Sequence, residues 1–362
     1  MIRQLSEAWS VFRPRTVAQT RKNVDDLRVQ HRDVHRSLKL LQEQIEDFQE
    51  KTGQRFDALA AELRRMHDDN QKLRLRESQL RAIVERDIQL EHRSALLESV
   101  LNHQGAKAYI ERKMEDAELR LEPFPHIVID DFLPRSFYDA IILGLPPLEL
   151  FMDHPPNKRR VDVPFTFAPM FGRKVWRHLS RSIVPEVFVP ALIAKFRGPL
   201  DAWLKLNFPN VGDDPVSDVE WAPWDGRIML RTRGYYIPPH RDPKWGFMTC
   251  LLYLAREGDD PAWGTQIMTV DDDVESKIIA PDWFDEKRCH VVDDVKFVPN
   301  RLFVFLNSVG AHSARIPQDA PEDAERYLYQ FRVGPNGATM AKLMRLLPEE
   351  RRQYWAGKIA DY

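Results

Sequence analysis

Residues 234–254 read GYYIPPHRDPKWGFMTCLLYL. The second half, Phe247–Leu254, is a continuous apolar run rich in β-forming residues, bounded by turn-forming Pro and Gly. The first half predicts a short strand over Tyr235–Pro238 that leads into His240-Arg241-Asp242. In an extended chain residues i and i+2 share a face, so the His240 imidazole and the Asp242 carboxylate point to the same side. A second imidazole from a distant strand, His312, could complete a set of two His and one carboxylate. Three ligands on one face leave the other positions of an octahedral ion open, which suits non-haem Fe(II). Taken alone, an H-x-D pair is a weak signal, and its ordinary role is a surface hydrogen bond.

Further strand-like runs surround this stretch. They fall at His126–Asp130, Arg227–Leu230, Thr265–Val270, His290–Val292, Arg301–Leu306, His312–Ile316 and Arg326–Val333, with turn signals between them. Helices are expected at 134–145, around Val175–Ile183 and around Pro190–Leu206. Many short strands after a few helices predict a double-sheet jelly roll with helices packed outside.

Upstream the texture is different. Of the 26 prolines only Pro14 precedes residue 122, and of the 15 glycines only Gly53 and Gly105 do. A stretch this poor in breakers reads as a long helix. Leu27, His31, Val34, Leu38, Leu41, Ile45, Phe48 and Thr52 follow the alternating 4-3 spacing of a coiled-coil seam. The phase slips by four residues near Gly53, which is a stutter, and resumes as Phe56, Leu59, Leu63, Met66, Asn70 and Leu73. Such a stripe needs a partner, and the expectation is a parallel homodimer, with folding back at Gly53 as the alternative. The expected organisation is a coiled coil over 1–104, a helical linker over 105–121 and a β-rich domain over 122–362. The fold class is α+β.

Composition removes several classes. The 362 residues carry a formal charge of -2, so no electrostatic footprint for nucleic acid is visible. The two cysteines, Cys250 and Cys289, cannot build a disulfide framework. No run of 18 apolar residues offers a membrane span, and the first fifteen residues lack the apolar core of a secretory signal. A cytoplasmic location is the expectation. Gly-rich phosphate loops, nucleophile elbows and C-x-x-C pairs are missing from the sequence, which removes the obvious competing chemistries.

Segment 234–254 resembles the iron-binding strand, and the strand after it, of Fe(II)- and 2-oxoglutarate-dependent oxygenases. Further pieces follow in that family's order. Pro125–Leu133 (PHIVIDDFL) is similar to the opening strand of the prolyl-4-hydroxylase-like branch. Trp263-Gly264-Thr265-Gln266-Ile267 sits where the family has a Trp and a Gly-containing strand. Arg301–His312 (RLFVFLNSVGAH) resembles the strand and turn that deliver the distal histidine. Arg326 opens the last strand, where the family carries a basic residue. The resemblance spans about residues 122–335 and leaves the N-terminal helix out.

The resemblance implies a double-stranded β-helix with His240, Asp242 and His312 as iron ligands. It implies 2-oxoglutarate as cosubstrate, dioxygen as oxidant, ascorbate as an accessory, and hydroxylation of a substrate with release of succinate and CO2. Arg326 would grip the far carboxylate of the cosubstrate, and a planar guanidinium fork suits that task. Tyr236 and Thr249 are the further cosubstrate-pocket candidates. Arg315 and Arg332 rival Arg326, because His312 and Arg326 stand fourteen residues apart where about ten is usual. Arg231 replaces the tyrosine that prolyl hydroxylases carry nine residues before the first ligand; Arg231 and Arg233 could meet an anionic substrate, or be solvated edge charges. Trp221, Trp224 and Trp245 could form an apolar substrate wall. His290 reads as structural, and Asn307 as a turn-fixing side chain. The competing function is a non-catalytic coiled-coil scaffold or a metal-binding sensor built on a degenerate β-domain.

Overall fold

The computed structural model of the chain describes residues 2–101, 103–275 and 282–352. The end of the expected β-domain, 353–362, lies outside the described residues. The chain divides into two compact units, 1–74 and 75–362, and helix α1 (Ile2–Leu90) belongs to both.

Within the first unit α1 is unbroken, including at Gly53, so the chain does not fold back there. Its heptad stripe is open to solvent: Leu27, Val34, Leu38, Leu41, Ile45, Phe48, Phe56, Leu59, Leu63, Met66 and Leu73 are all exposed. Lys51 and Asp47 pair at 2.8 Å across one turn. Each such exposed pair adds only about 0.3–0.5 kcal/mol.

The second unit begins with the last turns of α1, followed by α2 (Ser94–Val100) and α3 (His103–Asp116). Leu90, Val100, Ala106, Ile110 and Met114 are buried in its core. Part of the stretch read as coiled coil, and the stretch read as linker, are therefore packed elements of this unit. Helix α4 (Arg135–Leu143) falls within the expected 134–145. Helix α5 (Met170–His178) runs through a π-helical stretch, Leu179–Phe188, into α6 (Val189–Lys195) and α7 (Arg197–Asn207). Pro185 lies inside the π-helical stretch, where its missing N–H removes one ladder bond.

Two antiparallel sheets follow. The larger contains β1 (His126–Ile129), β2 (Arg160–Asp162), β3 (Trp221–Thr232), β5 (Met248–Tyr253), β9 (Leu302–Leu306) and β11 (Glu325–Pro335), in the order β1-β9-β5-β11-β3-β2. The smaller contains β4 (Tyr236–Arg241), β6 (Thr265–Val270), β7 (Asp282–Trp283), β8 (Cys289–Val295) and β10 (Ala311–Arg315), in the order β7-β4-β10-β6-β8. From β3 to β6, and again from β8 to β11, successive strands alternate between the sheets. That winding is the jelly roll. Nine of these strands overlap the runs named above; β2 and β7, of three and two residues, are too short to leave a pattern.

Period-two alternation sorts the residues of the larger sheet. Ile228, Leu230, Cys250, Leu252, Val304, Tyr329 and Phe331 join the helices in one apolar core. Leu251, Tyr253, Phe303, Phe305 and Leu328 join Ile267, Val295, Phe297 and Ile316 in a second core between the sheets. The functional residues lie at one end of that second layer.

Candidate metal centre and a buried arginine

The register sets the two histidines side by side. On the smaller sheet His312 of β10 pairs directly with His240 of β4, and their rings stand 4.2 Å apart, centre to centre. Asp242 follows the end of β4. Its Oδ1 is 3.5 Å from His240 Nε2 and 3.9 Å from His312 Nε2. Donors about 2.1 Å from a common ion and at right angles stand about 3 Å apart, so a small inward movement completes the face. The three ligand atoms lie within 4.8 Å of one another, and this is the one group of its kind among the described residues.

Protonation states favour metal binding. His240 Nδ1 lies 2.9 Å from the Pro238 carbonyl. A carbonyl only accepts, so Nδ1 carries the proton and Nε2 offers a lone pair. Burial, with the neighbouring His240, lowers the His312 pKa to about 3 against the pull of Asp242, so its ring is neutral at pH 7. Burial opposes ionisation of Asp242, but the nearby positive charge of Arg332 favours it, and the carboxyl is held well below the usual range. Two imidazoles and one carboxylate, all buried, fit a divalent transition-metal ion.

The second oxygen of Asp242 is also held. The Thr249 hydroxyl donates to Oδ2 at 2.7 Å and lies 3.3 Å from Asn307 Oδ1. Asn307 Nδ2 in turn donates to the Pro243 carbonyl at 3.2 Å. Thr249 therefore orients a ligand, and Asn307 ties down the turn after it. Only Oδ1 is left facing the histidines.

Arg326 lies deeper between the sheets and is almost wholly buried. Its Nε donates to the Trp263 carbonyl, and Nη2 to the Gly264 carbonyl at 3.4 Å. Its guanidinium stands over the rings of Tyr253 and Phe297, at 5.6 and 5.4 Å. No carboxylate pairs with it among the described residues. Burial lowers its pKa. A buried cation whose partners are all neutral is costly, and an incoming anion would relieve it. Of its rivals, Arg315 is exposed on the outer side of β10. Arg332 faces inward, but Nη1 is engaged by Asp225 at 3.2 Å.

Tyr236 is not brought between the sheets. It is 49% exposed and donates to the Glu286 carboxylate. The reason is a bulge: His240 pairs with His312, but Ile237 pairs with Ala314, so Pro238 and Pro239 together face Ser313. That extra residue reverses the alternation and turns Tyr236 outward, while Tyr235 packs inward against the second core. The consecutive prolines were the available signal, since strand prolines concentrate at bulges. Of the two arginines upstream, Arg231 is buried and Arg233 is a surface partner of Glu322. His290 pairs with Asp271 at the surface. Trp224 meets Trp245 edge-on, and the Arg332 guanidinium lies 4.8 Å above the Trp245 ring.

One residue of the site carries no sequence signal. Trp283 of β7 pairs with His240 and stacks on its ring at 4.9 Å, yet is 59% exposed. One ion pair, Arg241 with Asp282, reaches its strand, and two more tie the residues around Asp242 to the segment after β6. Arg241 binds Asp273 at 2.5 Å and Asp282 at 3.3 Å, and Lys244 binds Glu275 at 2.7 Å.

No family model matches the sequence, and no curated protein matches it. Solved structures do. A Pseudomonas putida prolyl-4-hydroxylase is similar over 63% of this chain and 93% of its own, with 15% identity and a TM-score of 0.33. A 2OG-Fe(II) oxygenase family oxidoreductase from Burkholderia pseudomallei covers 58% of this chain and 84% of its own, at 13% identity and a TM-score of 0.33. HygX from Streptomyces hygroscopicus, with nickel and 2-oxoglutarate bound, covers 59% and 83%, also at 13% and 0.33. Among the described residues no helix is long and apolar enough to cross a membrane.

Proposed function

We propose that the chain is an Fe(II)- and 2-oxoglutarate-dependent dioxygenase that hydroxylates a substrate and releases succinate and CO2. The observation that carries this reading is the convergence of His240, Asp242 and His312 at one end of the layer between the sheets, which also buries Arg326 without a carboxylate. The donor set alone would also suit zinc. The buried, unpaired cation is what favours a dicarboxylate cosubstrate.

Each residue then has a task. His240 and His312 supply Nε2 donors, and Asp242 supplies Oδ1. Thr249 and Asn307 keep Asp242 in its one-oxygen pose. Arg326 holds the far carboxylate of the cosubstrate, with Thr265 beside its Nη2 at 3.5 Å. Phe303, Phe305, Tyr253 and Phe297 line the layer between the sheets and exclude water. What iron and 2-oxoglutarate supply when bound, with dioxygen and with ascorbate as an accessory, is oxidative decarboxylation coupled to insertion of oxygen into a C–H bond.

The test is an anaerobic titration of the metal-free protein with Fe(II) and then 2-oxoglutarate. A visible charge-transfer band is expected. It should vanish in His240→Ala and need at least about tenfold more 2-oxoglutarate in Arg326→Ala, which loses a charge-assisted pair. Bound iron with no band in the wild type would instead favour a sensor or scaffold.

The helix supports a second proposal, a homodimer through a parallel coiled coil. Its stripe from Leu27 to Leu73 is exposed along the first unit, and a lone helix does not retain such a stripe without a partner. Sedimentation of the full chain should give a dimer, and Leu38→Asp with Ile45→Asp should give a monomer. A monomeric wild type would end this proposal.

A further inference from the structure

Four guanidinium groups face the space between the sheets. Arg227 and Arg231 come from β3, and Arg326 and Arg332 from β11. Arg231 pairs across the strands with Arg326, and Arg227 with Gln330. Two residues of β3, Asp225 and Gly226, then face Phe331 alone, and this bulge brings Arg332 opposite Trp224. Arg227 and Arg332 are thereby close enough that, after burial, the charge of Arg332 is the main influence lowering the Arg227 pKa, to about 10.

The carboxylates that answer this charge are few. Asp225 takes Arg332 at 3.2 Å, and Asp242 lies 4.0 Å from Arg332 Nη2. Asp225 and Asp242 are also the carboxylates whose charges act on Arg227. Arg231 Nη1 is satisfied by the Arg159 and Leu230 carbonyls at 2.8 and 2.9 Å. Arg227 Nε donates to Gln330 Oε1 at 3.1 Å, and no acidic group stands within 4.0 Å of its guanidinium among the described residues. A divalent ion adds two further positive charges. A dicarboxylate cosubstrate supplies two negative ones, one at the ion and one at Arg326. Asp162 of β2 stands opposite Arg227 but is exposed, and Arg227, itself only part-buried, is the one of the four whose unmatched charge an arriving substrate can reach.

Resting on the oxygenase reading, we propose that the primary substrate carries an anionic group, a carboxylate or a phosphate, and that Arg227 binds it beside the metal. Arg227 is the member of the four that pairs across the strands with Gln330, two residues along the same face of β11 from Arg332, whose Nη2 lies 4.0 Å from Asp242, and it is engaged by neither a carboxylate nor a backbone carbonyl. Its two terminal nitrogens match two oxygens of either anion. Neutral or cationic substrates would leave the charge uncompensated, and a cation would be repelled.

The experiment uses the full chain, loaded anaerobically with Fe(II) and saturating 2-oxoglutarate, and titrates methyl phosphate and acetate in separate arms. The charge-transfer band should shift saturably with at least one anion, and the arm that responds more tightly identifies the anion. Arg227→Gln should raise the apparent Kd of that anion by at least about tenfold, the loss of a charge-assisted pair, and Arg227→Lys should recover part of it. Arg233→Gln, which alters a surface ion pair, should respond as the wild type does.

Three results would overturn the proposal. They are competitive displacement of 2-oxoglutarate by the anion, equal weakening of both ligands in Arg227→Gln, and a wild type that responds to neither anion. The first two would assign the spare charge to the cosubstrate. A wild type with no band at all fails the oxygenase reading instead. Calorimetry of the same anions against the metal-loaded protein without cosubstrate then decides: binding lost in Arg227→Gln keeps the anion site, and no binding removes it.

Discussion

The two faces of the larger sheet are made by the same strands and do opposite things. On β11, Tyr327, Tyr329, Phe331 and Val333 join the helical core, while Arg326 and Arg332 alternate with them on the other side. On β3, Ile228 and Leu230 alternate with Arg227 and Arg231. In most half-buried strands this alternation separates core from solvent. Here β11 is buried on both sides, and on β3 and β11 the alternation separates the helical core from an inner side that sets arginines beside the second apolar core. The outer face stabilises the domain. On the inner face the buried Arg231, Arg326 and Arg332 carry a desolvation cost that a bound anion would offset. Substitutions on the two faces should therefore differ in kind, and the differences can be measured.

The largest effect is expected at the proposed metal ligands. Asp242→Ala removes the only charged member of that set and should abolish measurable Fe(II) binding, a loss above about 100-fold, since merely disturbing a supporting contact costs 10–100-fold. Calorimetry on the metal-free protein checks this, and retained affinity would move the metal elsewhere. The outer face gives the next effect. Phe331→Ala opens a cavity against Phe188 and Tyr329, whose rings lie 5.7 and 5.1 Å away. It should cost about 3–5 kcal/mol in denaturant unfolding. Metal affinity per folded molecule should not change. A parallel loss of metal binding would show that the two faces are not separable.

How much of this was legible depends on punctuation and period. Turn residues bound the strands of the jelly roll and side chains alternate along them with a period of two, so the sequence reading overlapped nine of the eleven, although β3 begins six residues before its expected start. The same period carried His240, Asp242 and His312 to one side. It failed at Tyr236, because the bulge at Pro238-Pro239 inserts one residue and reverses the face. It gave no hint of Trp283, whose two-residue strand is defined by its neighbours and by an ion pair to Arg241. The end of the long helix was hidden for another reason. Nothing in its composition marks the point where Gln79 and Leu90 become buried in the second unit. A stripe shared between solvent and tertiary packing looks the same as one that continues to seek a partner.

A smaller effect tests how firmly the inner face is organised. Thr249→Val keeps the volume and removes the hydroxyl that donates to Asp242 Oδ2. Fe(II) affinity should fall by about 10–100-fold. Gly246→Ala should act through a different contact, because a Cβ there would stand 2.1 Å from Arg332 Cδ and force that side chain to move. It should weaken the response to metal more than the response to 2-oxoglutarate, because Arg332 stands 4.0 Å from Asp242 Oδ2. If both variants bind metal and cosubstrate as the wild type does, then neither Thr249 nor the seat of Arg332 organises the site.

The smallest expected change, in stability, makes the sharpest comparison between the faces. Arg326→Met replaces a buried cation by an apolar chain of similar length. Removing the charge gains back its desolvation, and the Trp263 and Gly264 carbonyls lose a donor. A buried acceptor left unmatched costs about 1–3 kcal/mol, and replacing a buried charge by a hydrophobe recovers a comparable amount. Stability without ligands should therefore stay within about 2 kcal/mol of the wild type, well short of the loss expected for Phe331→Ala. Stabilisation by added 2-oxoglutarate in the presence of metal should disappear, because a ligand protects the folded state only as far as it binds it. Thermal unfolding with and without the cosubstrate reads both quantities from one sample. A large loss of intrinsic stability with the 2-oxoglutarate shift intact would make Arg326 a structural cation, and the inner face would then be a second core that happens to be charged.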